Sequence, residues 1–285
     1  MNAKVIINPQ AGRQSKDFEK KIRLFFKDTN ITLNFSYTDK KGHATNIAQK
    51  SKDNDLIIIV GGDGTINEVV NGLNDYKVKI GLIPVGSENI FATELKIPKD
   101  IKKACEVILK GRTRKIDLGV INKKKFIFVA GIGFDAHAIT KIRPKLKKLI
   151  GKHSYKIAGL ETLFKHKAEE LTIKIGRKTE KGYFVLASNV KNYGGNFKIT
   201  PKAKLDDGYL DICIFQNKDV WSVMKYVVGG VTGHITRLKG IKHYQIKKAS
   251  ITSEKPVLYH TDAEIGDKTP VDIEVLPKKL KVIIP

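Results

Sequence analysis

Apolar and polar positions follow two different rhythms along this chain, and the change falls near residue 117. In the first stretch, short apolar runs alternate with segments of helical spacing. Residues 4–8, 32–37, 56–60 and 79–84 read as strands. The run Leu56-Ile57-Ile58-Ile59-Val60 has no polar position, which predicts a strand buried on both faces, as in a parallel sheet. Between the strands, Phe18, Ile22, Phe25 and Phe26 mark one helix. Ile66, Val69, Val70 and Leu73 mark another, and residues 44–50 and 101–110 read as helix bodies. Strands alternating with helices predict an α/β N-terminal domain whose parallel sheet is covered on both faces. Beyond Asp117, strand-like runs at 126–130, 170–175, 182–188, 209–215, 245–252 and 271–275 follow one another. Few helices intervene, apart from 220–228 and a basic stretch near 141–156, so a mostly antiparallel β C-terminal domain is predicted. The expected division is 1–117 and 118–278. Whether the last run, 280–284, returns to the first domain is open.

The buried run at 56–60 leads directly into Gly61-Gly62-Asp63-Gly64-Thr65. Glycines let the backbone turn sharply and approach a ligand with no Cβ in the way. The helix pattern that follows would offer unpaired N–H groups to an anion. A carboxylate in such a loop would repel bare phosphate, so Asp63 points to a magnesium ion or to a proton that must be moved. The loop lacks the Gly-Lys-Ser/Thr ending of a P-loop and the Gly-x-Gly-x-x-Gly of dinucleotide-binding folds. A plain glycine turn is the alternative.

Composition narrows the picture further. With 41% hydrophobic residues the chain can bury a full core, and it has no apolar run of about 18 residues that would span a membrane. The first residues run straight into a strand and not into a signal sequence, so a cytoplasmic location is expected. Two distant cysteines, Cys105 and Cys213, argue against a disulfide framework or a zinc site. The 53 basic against 29 acidic residues give a formal charge of +24, which draws the protein to polyanions. Ile142, Leu146, Leu149 and Ile150 interleave with seven basic residues between Lys141 and Lys156, a pattern suited to an anionic membrane surface or to a plain solvated helix. No nucleic-acid-binding motif accompanies the charge, so no specific nucleic-acid partner is expected.

Further motifs accompany the glycine loop: Asn8-Pro9-Gln10-Ala11-Gly12; Thr38 followed by Gly42-His43-Ala44-Thr45; and Pro84-Val85-Gly86-Ser87-Glu88-Asn89. Later come a run over 192–201 leading to Asp206-Asp207-Gly208-Tyr209, and Asp262-Ala263-Glu264. In this order and over nearly the whole chain, they resemble the diacylglycerol kinase catalytic family. That family includes bacterial soluble lipid kinases and is related to sphingosine and ceramide kinases. The resemblance implies an ATP- and magnesium-dependent lipid kinase that moves the γ-phosphate to a lipid hydroxyl, peripherally associated with the membrane. It makes 1–117 the nucleotide-binding domain and 118–278 the lipid-substrate and metal domain. By resemblance Asn8, Thr38, Gly61, Gly62, Gly64, Thr65, Ser87 and Asn89 contact the nucleotide, and Asp63 holds magnesium. Glu264 is the candidate base with Asp262 beside it; two residues apart, both would share one face of an extended strand. A second magnesium ion is implied at Asp207, completed by the main-chain oxygens of Lys204 and Tyr209 and linked to the active site by Asp117. A plain β-turn is the alternative there. A homodimer, common among similar proteins, is left open.

Thr93 stands where the family commonly has Arg, and Ala263 where Gly is usual; alanine is tolerated unless the position requires positive φ. The rivals are an NAD kinase-like enzyme with a soluble substrate and a non-catalytic lipid- or nucleic-acid-binding protein on the same fold. The 193–201 segment and the late Asp262/Glu264 pair speak against the first. Retention of Asp63, Asp207, Asp262 and Glu264 speaks against the second.

Overall fold

The structure, a computed structural model, describes residues 1–12, 17–133, 136, 168–192 and 198–285. The basic stretch at 141–156 and the 193–197 part of the 192–201 motif lie outside the described residues. The chain divides into two compact units, one of residues 1–116 with 278–285 and one of residues 117–277.

The first unit contains β1 (Asn2–Ile7), α1 (Phe18–Phe26), β2 (Thr32–Tyr37), α2 (His43–Gln49) and β3 (Leu56–Gly61). It continues through α3 (Asp63–Gly72), β4 (Lys79–Pro84), α4 (Ile90–Glu94), α5 (Ile101–Lys110) and the start of β5 (Thr113–Ile121). Its sheet is parallel, in the order β2-β1-β3-β4. The end of the last strand, β16 (Val271–Ile283), adds a fifth parallel member through Lys281 and Val282, opposite Lys79 and Ile80. All six positions of β3 are buried, as the unbroken apolar run requires. Each fully buried isoleucine contributes about 1.5–3 kcal/mol. Phe18, Ile22 and Phe26 of α1 and Ala104, Cys105 and Ile108 of α5 pack on Val5, Ile58 and Val60. α5 starts because Asp100 accepts the Lys103 N–H at 2.9 Å, and it ends at Gly111 with φ +66°.

The second unit carries the rest of β5, then β6 (Lys124–Phe126), β7 (Val129–Gly133), β8 (Leu171–Ile175), β9 (Lys178–Gly182), β10 (Phe184–Ser188) and β11 (Leu210–Phe215). A 13-residue helix, α6 (Val220–Thr232), follows, with a 3-10 turn at Ile235–Arg237. Then come β12 (Ile241–Ile246), β13 (Lys248–Ser253), β14 (Leu258–Thr261), β15 (Glu264–Lys268) and most of β16. One antiparallel sheet runs β12-β11-β10-β7-β14-β15. β9, β8, β13 and β16 form a second antiparallel set. Ile132, Val185, Ile212, Leu171, Ile251 and Ile273 from the two sets share one core, so the unit is a sandwich.

The sequence reading needs correction at several strands. The run at 126–130 is broken: β6 stops at Phe126 and β7 starts at Val129, because the N–H groups of Ile127 and Phe128 turn to the Asp262 carboxylate. The run at 245–252 is two strands in different sheets. Its buried positions are Ile246, then Ala249 and Ile251, so the two-residue period slips by one at the break. The runs at 271–275 and 280–284 are one strand. β9 and the β14–β15 hairpin were not anticipated: β9 and β15 are polar and mostly exposed, and β14, though buried at three of its four positions, has only Leu258 and Tyr259 as an apolar signal.

Candidate active site

Within the first unit, the expected nucleotide contacts all follow the carboxyl ends of strands. The order β2-β1-β3 means that the chain leaves β1 toward one side and returns on the other. Such a switch point is where open α/β sheets bind ligands. Asn8, just after β1, reaches across it: its Nδ2 donates to Thr65 Oγ1 at 3.0 Å, and its main-chain N–H donates to Val60 O at 3.0 Å. Thr38 follows β2, is 9% exposed, and donates its N–H to Ile7 O at 2.9 Å.

The glycine loop is shaped by close approach. A Cβ on Gly61 would lie 2.7 Å from the Thr65 side chain. The helix α3 begins at Asp63, so its first N–H groups have no partner within the helix. Gly64 sits in this first turn, exposed, and a Cβ there would meet no atom within 4 Å. That side of the turn is open to an anion approaching the helix end.

Asp63 is already engaged. Its carboxylate accepts the Ile90 N–H at 3.0 Å and the Phe91 N–H at 3.1 Å, fastening the start of α4 to the loop. Burial raises its carboxyl above the ordinary value, and these two N–H groups oppose the rise. Each oxygen keeps a further lone pair. Asn89, with φ +53°, accepts the Gly86 N–H at 2.9 Å and donates to Gly86 O at 2.7 Å. Both ends of its amide are taken by that turn, and only 3% of the residue is exposed. Asn89 therefore closes the loop beside the other expected nucleotide contacts. Ser87 stands exposed at the turn.

In the second unit, Asp262 and Ala263 have φ +48° and +64° and form the two-residue turn between β14 and β15, flanked by the Thr261–Glu264 pair. The expectation of an extended strand with both acids on one face is thus corrected. Asp262 Oδ2 accepts the Ile127 N–H at 2.8 Å, and Oδ1 accepts those of Phe128 and Val129 at 2.9 Å each. Its own N–H donates to Val129 O at 2.8 Å. Glu264 is instead paired with Lys124, Nζ to Oε2 at 3.0 Å, with about a fifth of its side chain exposed. Ala263 does require positive φ.

Asp117 is fully buried. Its N–H donates to Leu205 O at 2.6 Å, and its Oδ2 accepts the Gly208 N–H at 2.7 Å, clasping the turn that carries Asp207. Asp207 Oδ1 accepts the Tyr209 N–H at 3.1 Å, and Gly208 has φ +79°. Among the described residues no group of three or more His, Cys, Asp and Glu is spaced to hold a metal ion. A magnesium ion at Asp207 would therefore rest on main-chain oxygens, such as those of Lys204 and Tyr209. Sequence reasoning missed two residues. Lys124, within Lys123-Lys124-Lys125, was given no role, and Gly86 entered only as a member of the 84–89 motif.

Comparison with known proteins agrees with this layout. Residues 2–121 match the model of the diacylglycerol kinase catalytic domain. Residues 129–284 match that of the YegS C-terminal NAD kinase beta sandwich-like domain. The chain belongs to the diacylglycerol kinase family, lipid kinases that transfer phosphate to an alcohol. Diacylglycerol kinases of Staphylococcus aureus strains bovine RF122 / ET3-1 and MRSA252 are each 31% identical over 292 residues, covering 99% of this chain and 92% of theirs. Two solved structures from Bacillus anthracis str. Sterne, each described as "a putative diacylglycerol kinase", match the whole chain. One has TM-score 0.83 at 27% identity over 95% of its length, the other 0.80 at 26% over 97%.

Proposed function

We propose that this chain is an ATP- and magnesium-dependent lipid kinase that transfers the γ-phosphate to the hydroxyl of diacylglycerol or a related lipid at the membrane surface. The observation that carries the reading is the open glycine turn at the switch point, held by Asn8 on Thr65 and entering the N-terminus of α3.

Phosphoryl transfer needs positioning of the phosphates, compensation of their charge and a base for the incoming hydroxyl. The turn at 61–65 receives the phosphates on main-chain N–H groups, with Thr38 and Ser87 as polar neighbours of the nucleotide. Asn8 orients Thr65, and Asn89 shapes the loop around Gly86. Magnesium, when bound, neutralises phosphate charge; the lone pairs left on Asp63 suit its preference for oxygen ligands. Glu264 accepts the proton of the lipid hydroxyl, with Lys124 compensating its charge. Asp262 holds the turn that presents Glu264. A second magnesium ion at Asp207, with Lys204, Tyr209 and Asp117 around it, belongs to the same reading. Its test is a magnesium titration without nucleotide, which raises the melting temperature of the native chain and not of Asp207→Asn.

The test of function is transfer of labelled γ-phosphate from ATP to a panel of micellar lipids, with NAD as a further acceptor. Labelled lipid that disappears in both Asp63→Ala and Glu264→Ala is the expected result. Label in NAD alone would replace this reading with an NAD kinase-like one. Vesicle binding without transfer to any acceptor would leave a binding protein.

A further inference from the structure

The helix α6 wears its apolar side chains on the outside. Its inner face is made by Tyr226, Gly229 and Gly230. Tyr226 packs edge-on against Phe215 and donates its hydroxyl to Gly240 O. A Cβ on Gly229 would lie 2.6 Å from Leu238, so the helix presses closely on the chain that follows it. The outer face carries Val220, Trp221, Met224, Val227, Val228 and Val231, all exposed. At 3.6 residues per turn these six fall within an arc of about 120° that contains no polar residue. Trp221 is 75% exposed, Val228 61% and Val231 62%.

Water gives no reason for this arrangement. Valine is a poor helix former, and on an exposed face it gains no packing to offset that. A contiguous apolar face of this kind marks an interaction surface. Its surroundings indicate the partner. From Lys218 to Lys242 the chain has five basic residues, Lys218, Lys225, Arg237, Lys239 and Lys242, against one acid. That acid, Asp219, accepts the Ser222 N–H at 2.9 Å to cap the helix.

The 3-10 turn after α6 borders a groove of about 420 Å³. Lys202, Arg237, Lys242 and His243 line it. His243 is held by the buried Asp211 at 2.7 Å, while Lys202, Arg237 and Lys242 have no acidic partner among the described residues. An apolar helix face with an exposed tryptophan, in a segment whose Arg237 and Lys242 have no acidic partner among the described residues, is the makeup of an interfacial helix on anionic lipid.

We propose that α6 docks the protein on a bilayer: its apolar face enters the acyl region, and the basic residues that flank and follow it in the chain meet the phosphates of anionic lipids. This locates the surface contact that the proposed function invokes, and it rests on that reading only for its purpose. Binding is tested without ATP or acceptor lipid, so either can fail alone.

Trp221 is the chain's single tryptophan, so intrinsic fluorescence reads α6 directly. The full chain is titrated with vesicles of phosphatidylglycerol and phosphatidylcholine, some with brominated acyl chains. The expected result is a shift of emission to shorter wavelength, protection from acrylamide and quenching by the brominated chains. Val228→Glu combined with Val231→Glu, both on the exposed face, lowers vesicle affinity about tenfold or more while thermal unfolding is kept. Arg237→Ala and Lys242→Ala each lower it about fivefold, with a weaker salt dependence. Three results would overturn the proposal. One is vesicle binding with unchanged tryptophan emission, which puts the contact elsewhere. Another is no vesicle binding. The third is a lipid-free emission shift that follows protein concentration with dimer in sedimentation, which makes a second copy the occupant.

Discussion

Gly62 and Gly86 stand backbone against backbone: a Cβ on Gly86 would lie 2.5 Å from Gly62 Cα, and one on Gly62 would lie 3.1 Å from Gly86 Cα. The loops after β3 and β4 are therefore a single piece of structure, and side chains at these positions would pry them apart. Gly86→Ala is expected to cost about 1–3 kcal/mol, the usual penalty of overpacking, and to weaken ATP binding. Gly64→Ala provides the contrast. Nothing lies within 4 Å of its Cβ, and alanine favours the helix by up to about 1 kcal/mol. Its stability should hold or rise while ATP affinity falls. Urea unfolding and nucleotide titration of both variants check this, and equal losses of stability would contradict it.

Asp63 links the same loop to α4, and its burial sets a pH dependence. Its carboxyl is raised above the ordinary value of 3.8, so the folded protein holds this proton more tightly than the unfolded chain does. The resulting stability is fully present below 3.8 and is lost as pH rises through the higher folded value. The stability of the native chain relative to Asp63→Asn should thus decline as pH rises above 3.8 and through the higher folded value. Paired urea unfolding across that range measures it. A difference that grows with pH would mean that the bonds to Ile90 and Phe91 outweigh burial.

Asp262 and Glu264, two residues apart, are assigned different tasks by their partners. Asp262→Ala would leave three main-chain N–H groups without their acceptor and should destabilise the fold by about 3 kcal/mol. Glu264→Gln weakens a partly exposed ion pair worth about 0–1 kcal/mol, and the proposed base is gone. Its melting temperature should stay near that of the native chain while kcat falls about 10²–10⁴-fold. Normal kcat in Glu264→Gln would remove it from the chemistry.

Ala263 occupies a left-handed position at φ +64°, where an L side chain costs about 1–2 kcal/mol. Ala263→Gly relieves this strain, less the entropy that glycine gains in the unfolded chain. The variant should be more stable by about 0.5–1 kcal/mol in thermal or urea unfolding. No gain would place the strain elsewhere in the turn.

The two unit types were legible in the chain because hydrophobic period is a local property. A parallel strand buried on both faces has to read as an unbroken apolar run, and 56–60 does. The antiparallel character of the second unit was visible in its strand-like runs with few helices between them. Even the break between β12 and β13 is written in the sequence as a phase slip between Ile246 and Ala249, although it takes the structure to notice it. The partners of the acids were not legible. Asp262 meets Ile127, Phe128 and Val129 across more than 130 residues, Glu264 meets Lys124 across 140, and Asp63 meets Ile90 and Phe91 across 27 and 28. The sequence by itself determined which residue types are present and which runs can be buried. Only the tertiary structure decided which carboxylates are taken up by main-chain N–H groups and which face of α6 meets water. Hydrogen bonding and exposure depend on what long-range folding brings alongside a residue, and spacing along the chain carries no record of that.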